Sequence, residues 1–445
     1  MDNATSRSPY EPPRNPYPGL LAEQLGGLER ALVNAEPATS PHEGAPAALG
    51  ERLTAAVEER ASSLVGLSHE VHATPELGFE EHAAVATVAR LLEDAGHPVE
   101  IAAYGLPTAL RATAGHGRPR VALLAEYDAL PGIGHACGHN VICATAVGAF
   151  LAMAEVVDEL DGSVELIGCP AEEGGGGKEL IAQAGGFDEI DCAIMLHPFG
   201  FEVAAHTWLG VRQVNVTYHG LPAHASAMPY LGRNALDAVV QAYQGLAAQR
   251  QHLPPTDRVH GVITDGGAKP NIVPDRASAQ FYLRSAEPRT LAELTTRARE
   301  IFEAAALATG TQLEVGWDPC PVYLPVRNNH ALAERYAENI ASRGRRALPQ
   351  GVVPREFTGS TDLGNVSVRV PSIHPMLAIA PPDVAIHTPA FTEWAASERA
   401  DAGTIDGAVA LALTAADYLT DEGLRAAVAE EFEAAGGRIE PDEAV

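Results

Sequence analysis

The chain has 445 residues, 46% of them hydrophobic, which suffices for a large domain with a buried core beside a smaller one and excludes wholesale disorder. Its 58 acidic and 30 basic residues give a formal charge of −28, a balance that repels nucleic acid and anionic membrane surfaces. Five cysteines, odd in number and scattered, argue against a disulfide framework. No basic stretch followed by an apolar core marks a secretory signal, and no apolar run reaches the roughly 18 residues of a membrane span. A cytoplasmic protein is therefore expected.

Residues 1–47 hold eight prolines and read as an irregular leader with one short helix over Leu20–Val33. Helical periodicity runs from Leu53 to Val71, and a second helix places Val85, Val88, Leu91, Leu92 and Ala95 on one face before stopping at Gly96. Arg120–Glu126 is a short apolar run with the texture of a buried strand, and an Ala-rich helix from Asn140 to Val157 follows it. Ser163–Cys169 and Ile190–Leu196 repeat the strand pattern, with a helix from Lys178 between them. Strands alternating with helices predict an α/β domain on a mainly parallel sheet.

The texture changes at Val211. Strand, helix, two strands, helix, strand is the ferredoxin-like order. It is carried by Val211–Tyr218, Asn234–Ala248, Arg258–Thr264, Ala277–Arg284, Thr290–Leu307 and Thr311–Val315. Helices and short strands then resume, ending in an apolar helix over Ile405–Leu419. The expected organisation is a leader (1–47), a catalytic domain in two parts (48–210 and 324–425), an inserted α+β lid or dimerisation domain (211–323), and a solvated acidic tail (426–445).

Groups able to ligate metal follow three successive predicted strands: Cys137 and His139 in GHACGHN, Glu172 and Glu173 in PAEEG, and His197 before Pro198. The carboxyl ends of strands in an open α/β sheet form one rim, where ligands bind. Thiolate, imidazole and carboxylate together suit zinc or a neighbouring first-row metal rather than magnesium or calcium. A thiolate or carboxylate can bridge two metals, and two-metal sites activate water and polarise an amide carbonyl. Taken singly, each group has an ordinary reading: a packing cysteine, a hydrogen-bonded histidine, acids at a helix N-terminus. Their joint placement on one rim favours the metal reading.

Other motifs fail by one or two positions. Gly132–Gly138 has its last glycine one place late for a dinucleotide loop. Gly174–Lys178 lacks both the first glycine and the Ser/Thr of a phosphate loop, and His69–His72 is one residue short of H-E-x-x-H. The G-x-S-x-G of a serine hydrolase is absent.

HEVHATPELGFEEH (69–82), AEYDALPGIGHACGHN (125–140), PAEEGGGGK (170–178), HGLPAHASAMPYLGRNALDA (219–238), NIVPD (271–275), GSTDLGNVSVRVPSIHP (359–375) and IHTPAF (386–391) occur in that order. Together they resemble the M20 metallopeptidases over residues 50–420. The likeness is to the amidohydrolase branch with a cysteine ligand, near the aminobenzoyl-glutamate hydrolase and β-alanyl-lysine dipeptidase types. The resemblance implies hydrolysis of an amide in a small substrate bearing a carboxylate. It implies two divalent transition metals, zinc or manganese with cobalt or nickel as alternatives, and a homodimer formed through the lid. Cys137 would bridge the metals, His139 and His197 would complete one, and Glu173 and His387 the other. Glu172 would be the general base, with Asp128 orienting a ligand. In the inserted domain, His224 and Asn271 would polarise the scissile carbonyl or hold substrate, and Arg284 would grip its carboxylate. His387 is named by resemblance alone. Glu126 and Asn140 depart from the branch's usual Asp, which bears on substrate more than on mechanism. A catalytically silent subunit and a carbamoyl C–N hydrolase with the same metals are the alternatives.

Overall fold

A computed structural model describes residues 17, 19–355 and 357–444. The leader contributes α1 (Leu20–Asn34), whose Leu28 is buried against Phe199, Phe201 and Trp208. The expected run from Leu53 to Val71 is two helices, α2 (Ala47–Glu59) and α3 (Ala61–Ala73), because the Arg60 backbone leaves the helical region at φ −98°, ψ 3°. Then come α4 (His82–Asp94), β1 (Glu100–Ile101), β2 (Leu110–His116), β3 (Arg120–Glu126), α5 (His139–Ala154), β4 (Gly162–Cys169), α6 (Gly177–Gln183), β5 (Cys192–Ile194) and β6 (His197–Phe199).

The second sheet is built from β7 (Gly210–His219), β8 (Arg258–Asp265), β9 (Arg276–Ser285) and β10 (Gln312–Trp317), in the order β10-β7-β9-β8 and antiparallel throughout. Helices α7 (Ala235–Gln249) and α8 (Pro288–Thr309) pack on one face of it, closing a separate core around Val216, Tyr218, Phe281 and Phe302. The chain enters and leaves this sheet side by side: the backbones of Val211 and Tyr323 exchange hydrogen bonds of 2.8 and 3.0 Å.

After it come α9 (His330–Ala341), α10 (Leu363–Ser367), β11 (Ser372–Ile373), β12 (Met376–Ala378), α11 (Pro389–Trp394), α12 (Glu398–Thr420) and α13 (Glu422–Ala434). The first sheet has the order β1-β2-β4-β3-β5-β11, parallel from β4 to β11 and antiparallel at β1 and β2. The α/β reading with a mainly parallel sheet and an α+β lid stands.

Three local readings change. β2 was not anticipated; its sequence, LRATAGH, has neither a continuous apolar run nor clean alternation. The Ile190–Leu196 run shortens to β5 and a separate strand, β6, follows it, so His197 opens a two-stranded ribbon with β12 instead of lying in a loop. The acidic segment expected as a solvated tail from residue 426 starts inside α13, whose Leu424, Val428 and Phe432 recur on one face and are buried.

Candidate metal centre

α5 begins at the rim where β3 ends. Gly138, its N-cap, sits at φ 77°, and a Cβ there would lie 2.9 Å from the Pro198 side chain. Glycine thereby lets the Cys137–His139 turn press against the residue following His197. Ala171 (φ 54°) and His387 (φ 61°) also hold left-handed backbone, a strained state for non-glycine residues that persists where the surroundings over-determine it. The loop before Glu172 is pinned by buried Glu81, which accepts the Ala171 N–H at 2.8 Å and the Thr108 hydroxyl at 2.6 Å. The Glu172 carbonyl accepts the Tyr323 hydroxyl at 2.7 Å.

The donor atoms converge. Cys137 Sγ lies 3.4 Å from both His197 Nε2 and His387 Nε2, and His387 Nε2 lies 3.2 Å from Glu173 Oε1. Cys137, His139 and His197 form one group with donor atoms within 4.8 Å of one another; Cys137, Glu173 and His387 form a second. Sulfur and nitrogen on one tetrahedral zinc stand about 3.6 Å apart. The observed spacings fit. Two inward-facing atoms, His139 Nε2 and Glu173 Oε1, are buried and make no hydrogen bond, a state that a bound cation relieves. The donor set therefore suits a pair of metals sharing Cys137.

The supporting contacts agree with that fit. Asp128 is buried, its Oδ1 2.9 Å from His139 Nδ1 and its Oδ2 accepting the Glu173 N–H at 2.9 Å. Burial works to raise the Asp128 carboxyl, but His139, the Glu173 N–H and Lys178 together outweigh it and leave the group below its usual range. His197 Nδ1 donates to the Pro198 carbonyl at 2.7 Å, leaving Nε2 free as a ligand atom. Burial, with His139 next in size, pulls the His197 ring down to about 4, so it is neutral at pH 7. Burial pushes the Cys137 thiol and the Glu172 carboxyl up, Glu173 adding to the first and Glu126 and Glu173 to the second.

Behind Glu172 lies a group that sequence reasoning missed as a site. Lys178 is fully buried between Glu126 and Asp362, with Nζ 2.5 Å from Asp362 Oδ1 and still closer to Glu126 Oε1. Glu126, Glu172 and Asp362 have carboxylate oxygens within 4.8 Å of one another, and Glu126 Oε2 is 3.5 Å from His139 Nε2. Only the family-like strings PAEEGGGGK and GSTDLGN signalled Lys178 and Asp362. Trp208 and His374, stacked on each other at 4.7 Å beside the ring of His197, were not anticipated either. Asn140 bonds Ser68 Oγ and the Ala395 carbonyl at 2.8 Å each, so it ties α5 to its neighbours and its departure from Asp is a scaffold matter.

The cavity over these donors measures about 500 Å³ and also admits Arg284. His224 and Asn271 do not line it. They are exposed on the second sheet's outer loops, where the Ala225 N–H donates to the Asn271 carbonyl at 3.1 Å.

Residues 209–310 match the peptidase dimerisation domain of the M20 family. The Xaa-Arg dipeptidase of Mus musculus is 39% identical over 398 residues, spanning 86% of this chain and 92% of that protein. This chain belongs to the M20 family. One of the subunits of p-aminobenzoyl-glutamate hydrolase from Escherichia coli is 29% identical over 443 residues, spanning 83% of this chain and 92% of its own. A dinuclear metal-binding peptidase of the M20 family from Bacillus subtilis shares the fold, with a TM-score of 0.59 at 21% identity over 79% of this chain and 98% of that one. As an M20 protein, the chain is a metal-dependent hydrolase of C–N bonds, as the motifs implied.

Proposed function

We propose that this M20 hydrolase cleaves the amide of a small N-acyl amino acid, dipeptide or aminobenzoyl-glutamate-like substrate. Two divalent metals, zinc or manganese, would be held by Cys137 in common, His139 and His197 on one side, and Glu173 and His387 on the other. When bound they supply Lewis acidity, polarising the carbonyl and acidifying water. Glu172 is the general base: it takes a proton from the attacking water and returns it to the leaving amine. Asp128 fixes the His139 tautomer and, through the Glu173 N–H, the adjoining loop. Arg284 takes the substrate carboxylate.

The single observation that carries this reading is the convergence of all five donors around Cys137, with Glu172 in the same cavity. His224 and Asn271, remote from that cavity, fit a homodimer in which each protomer's lid completes its partner's site. The outer loops around them expose Leu221, Tyr230 and Ile272, apolar surface suited to such a contact. Five cysteines without a disulfide suit the cytoplasm.

The test is Glu172→Gln with metal content measured alongside turnover. Hydrolysis is expected to fall by at least about a hundredfold with metal retained. Full turnover in the metal-loaded variant would remove Glu172 from the mechanism.

A further inference from the structure

The second sheet turns one face to α7 and α8, and Phe281 and Leu283 of β9 belong to that buried side. The alternate residues, Tyr282 and Arg284, line the metal-site cavity from the other face. Register places Arg258 of β8 directly opposite Arg284. Like charges in that position oppose one another and weaken the sheet. Among the described residues neither has a carboxylate partner: Arg284 Nη1 donates to Ser360 Oγ at 2.6 Å, and Arg258 Nη1 to the backbone carbonyls of Pro255 and Asp257.

A third guanidinium joins them. Arg258 and Arg355 line a neighbouring hollow of about 190 Å³, which shares Leu209 and Thr358 with the lining of the metal-site cavity. Among the described residues, the acids lining the two hollows are Glu172 and Glu173, both at the metal end. In a chain of formal charge −28, the described lining away from the metal end holds three arginines, Arg284, Arg258 and Arg355.

We propose that Arg284, Arg258 and Arg355 form a dianion subsite selecting amide substrates whose lid-side half carries two carboxylates, as an N-acylated acidic amino acid does. Guanidinium forks take carboxylates with two parallel hydrogen bonds, and a second acidic group satisfies the arginines that one α-carboxylate leaves unmatched. A cationic side chain in the same place meets three like charges. The inference rests on the amidohydrolase reading above and names its substrate class.

The test uses the full-length, metal-loaded protein. Calorimetry in the Glu172→Gln background compares N-acetylglutamate, N-acetylglutamine and N-acetylarginine, with and without the added pair Arg258→Gln and Arg355→Gln. Turnover of the same three compounds is followed with Glu172 intact. The glutamate form is expected to bind at least about tenfold tighter than the glutamine form, the scale of one charge-assisted hydrogen bond, and the double change should close that gap and act on KM more than kcat. Equal binding of the glutamate and glutamine forms, tighter binding of the arginine form, or a gap that survives the double change overturns the subsite. If the gap appears and closes as expected while no amide is hydrolysed, the subsite stands and the amidohydrolase reading falls.

Discussion

Lys178 Nζ lies 2.5 Å from Asp362 Oδ1, across 184 positions of sequence and with both side chains fully buried. Glu126 takes the other side of the ammonium, so one buried cation faces two carboxylates directly and has Glu172 nearby. Burial works to lower the lysine, but Asp362 and Glu126 hold it well above its ordinary range, and Asp362 is itself raised to about 6 by burial. Replacing Lys178 by Met leaves those acids unpaired and is expected to cost about 3–5 kcal/mol in urea unfolding. Adding Asp362→Asn to that variant should recover part of the loss. A stable single variant would show that the acids are neutral without the lysine.

Asp128 contacts both halves of the donor set, a ring on α5 and a backbone N–H on the β4–α6 loop. Asp128→Asn keeps the size but gives up one acceptor and the negative charge beside His139. Metal affinity in chelator competition is expected to fall about 10- to 100-fold, the usual effect of losing a ligand's outer partner. Unchanged affinity would assign Asp128 to folding alone.

Gly138→Ala introduces a methyl 2.9 Å from the Pro198 side chain at a backbone φ of 77°. The left-handed conformation alone costs a β-carbon about 1 kcal/mol, and relieving the clash displaces the turn beside His197. Lower metal content at equal protein, with thermal stability reduced, is the expected result; metal content equal to that of the unaltered chain refutes it.

His206 offers a pH readout away from the donors. Its Nε2 donates to the Phe357 carbonyl at 3.0 Å, and burial pulls the ring down to about 4. The unfolded chain binds a proton near 6.5 and the folded one only near 4. The stability this group protects is therefore complete above pH 6.5 and drains away as pH falls toward 4, by roughly 3 kcal/mol in all. His206→Gln keeps a donor for Phe357, so its unfolding free energy should vary less steeply than the unaltered chain's between those pH values. Parallel profiles would refute the assignment.

What the sequence made legible follows from how local each signal is. β3 was bounded to the residue because everything between Arg120 and Glu126 is apolar, the texture of a strand covered on both faces. Cys137, His139, Glu172 and Glu173 could be placed because each follows a recognisable strand. His197 was found for a partly mistaken reason, since a ribbon with β12 presents it and no sequence period announces a partner as distant as Met376. Lys178 looked like the remnant of a phosphate loop because its partners, Glu126 and Asp362, lie on distant segments. His387 needed resemblance: its left-handed backbone, which turns the ring toward Cys137, has no glycine to mark it.

Tyr323 ties two parts of the molecule together. Its backbone pairs with Val211 where the second sheet is attached, while its hydroxyl donates to the Glu172 carbonyl and accepts the Gly176 N–H at 2.9 Å. A rotation of that sheet about its attachment thus has its fulcrum fastened to the loop that carries Glu172. Val211 is also the register partner of Arg284, with Arg258 one strand further on, so the arginines sit on the short arm of the lever. The longer strands run about 30 Å away from that point. His224 and Asn271 lie beyond their far ends and sweep the long arc. Such a swing leaves the arginines close to the Cys137 donor cluster at every angle and spends its travel on the two residues that now stand apart.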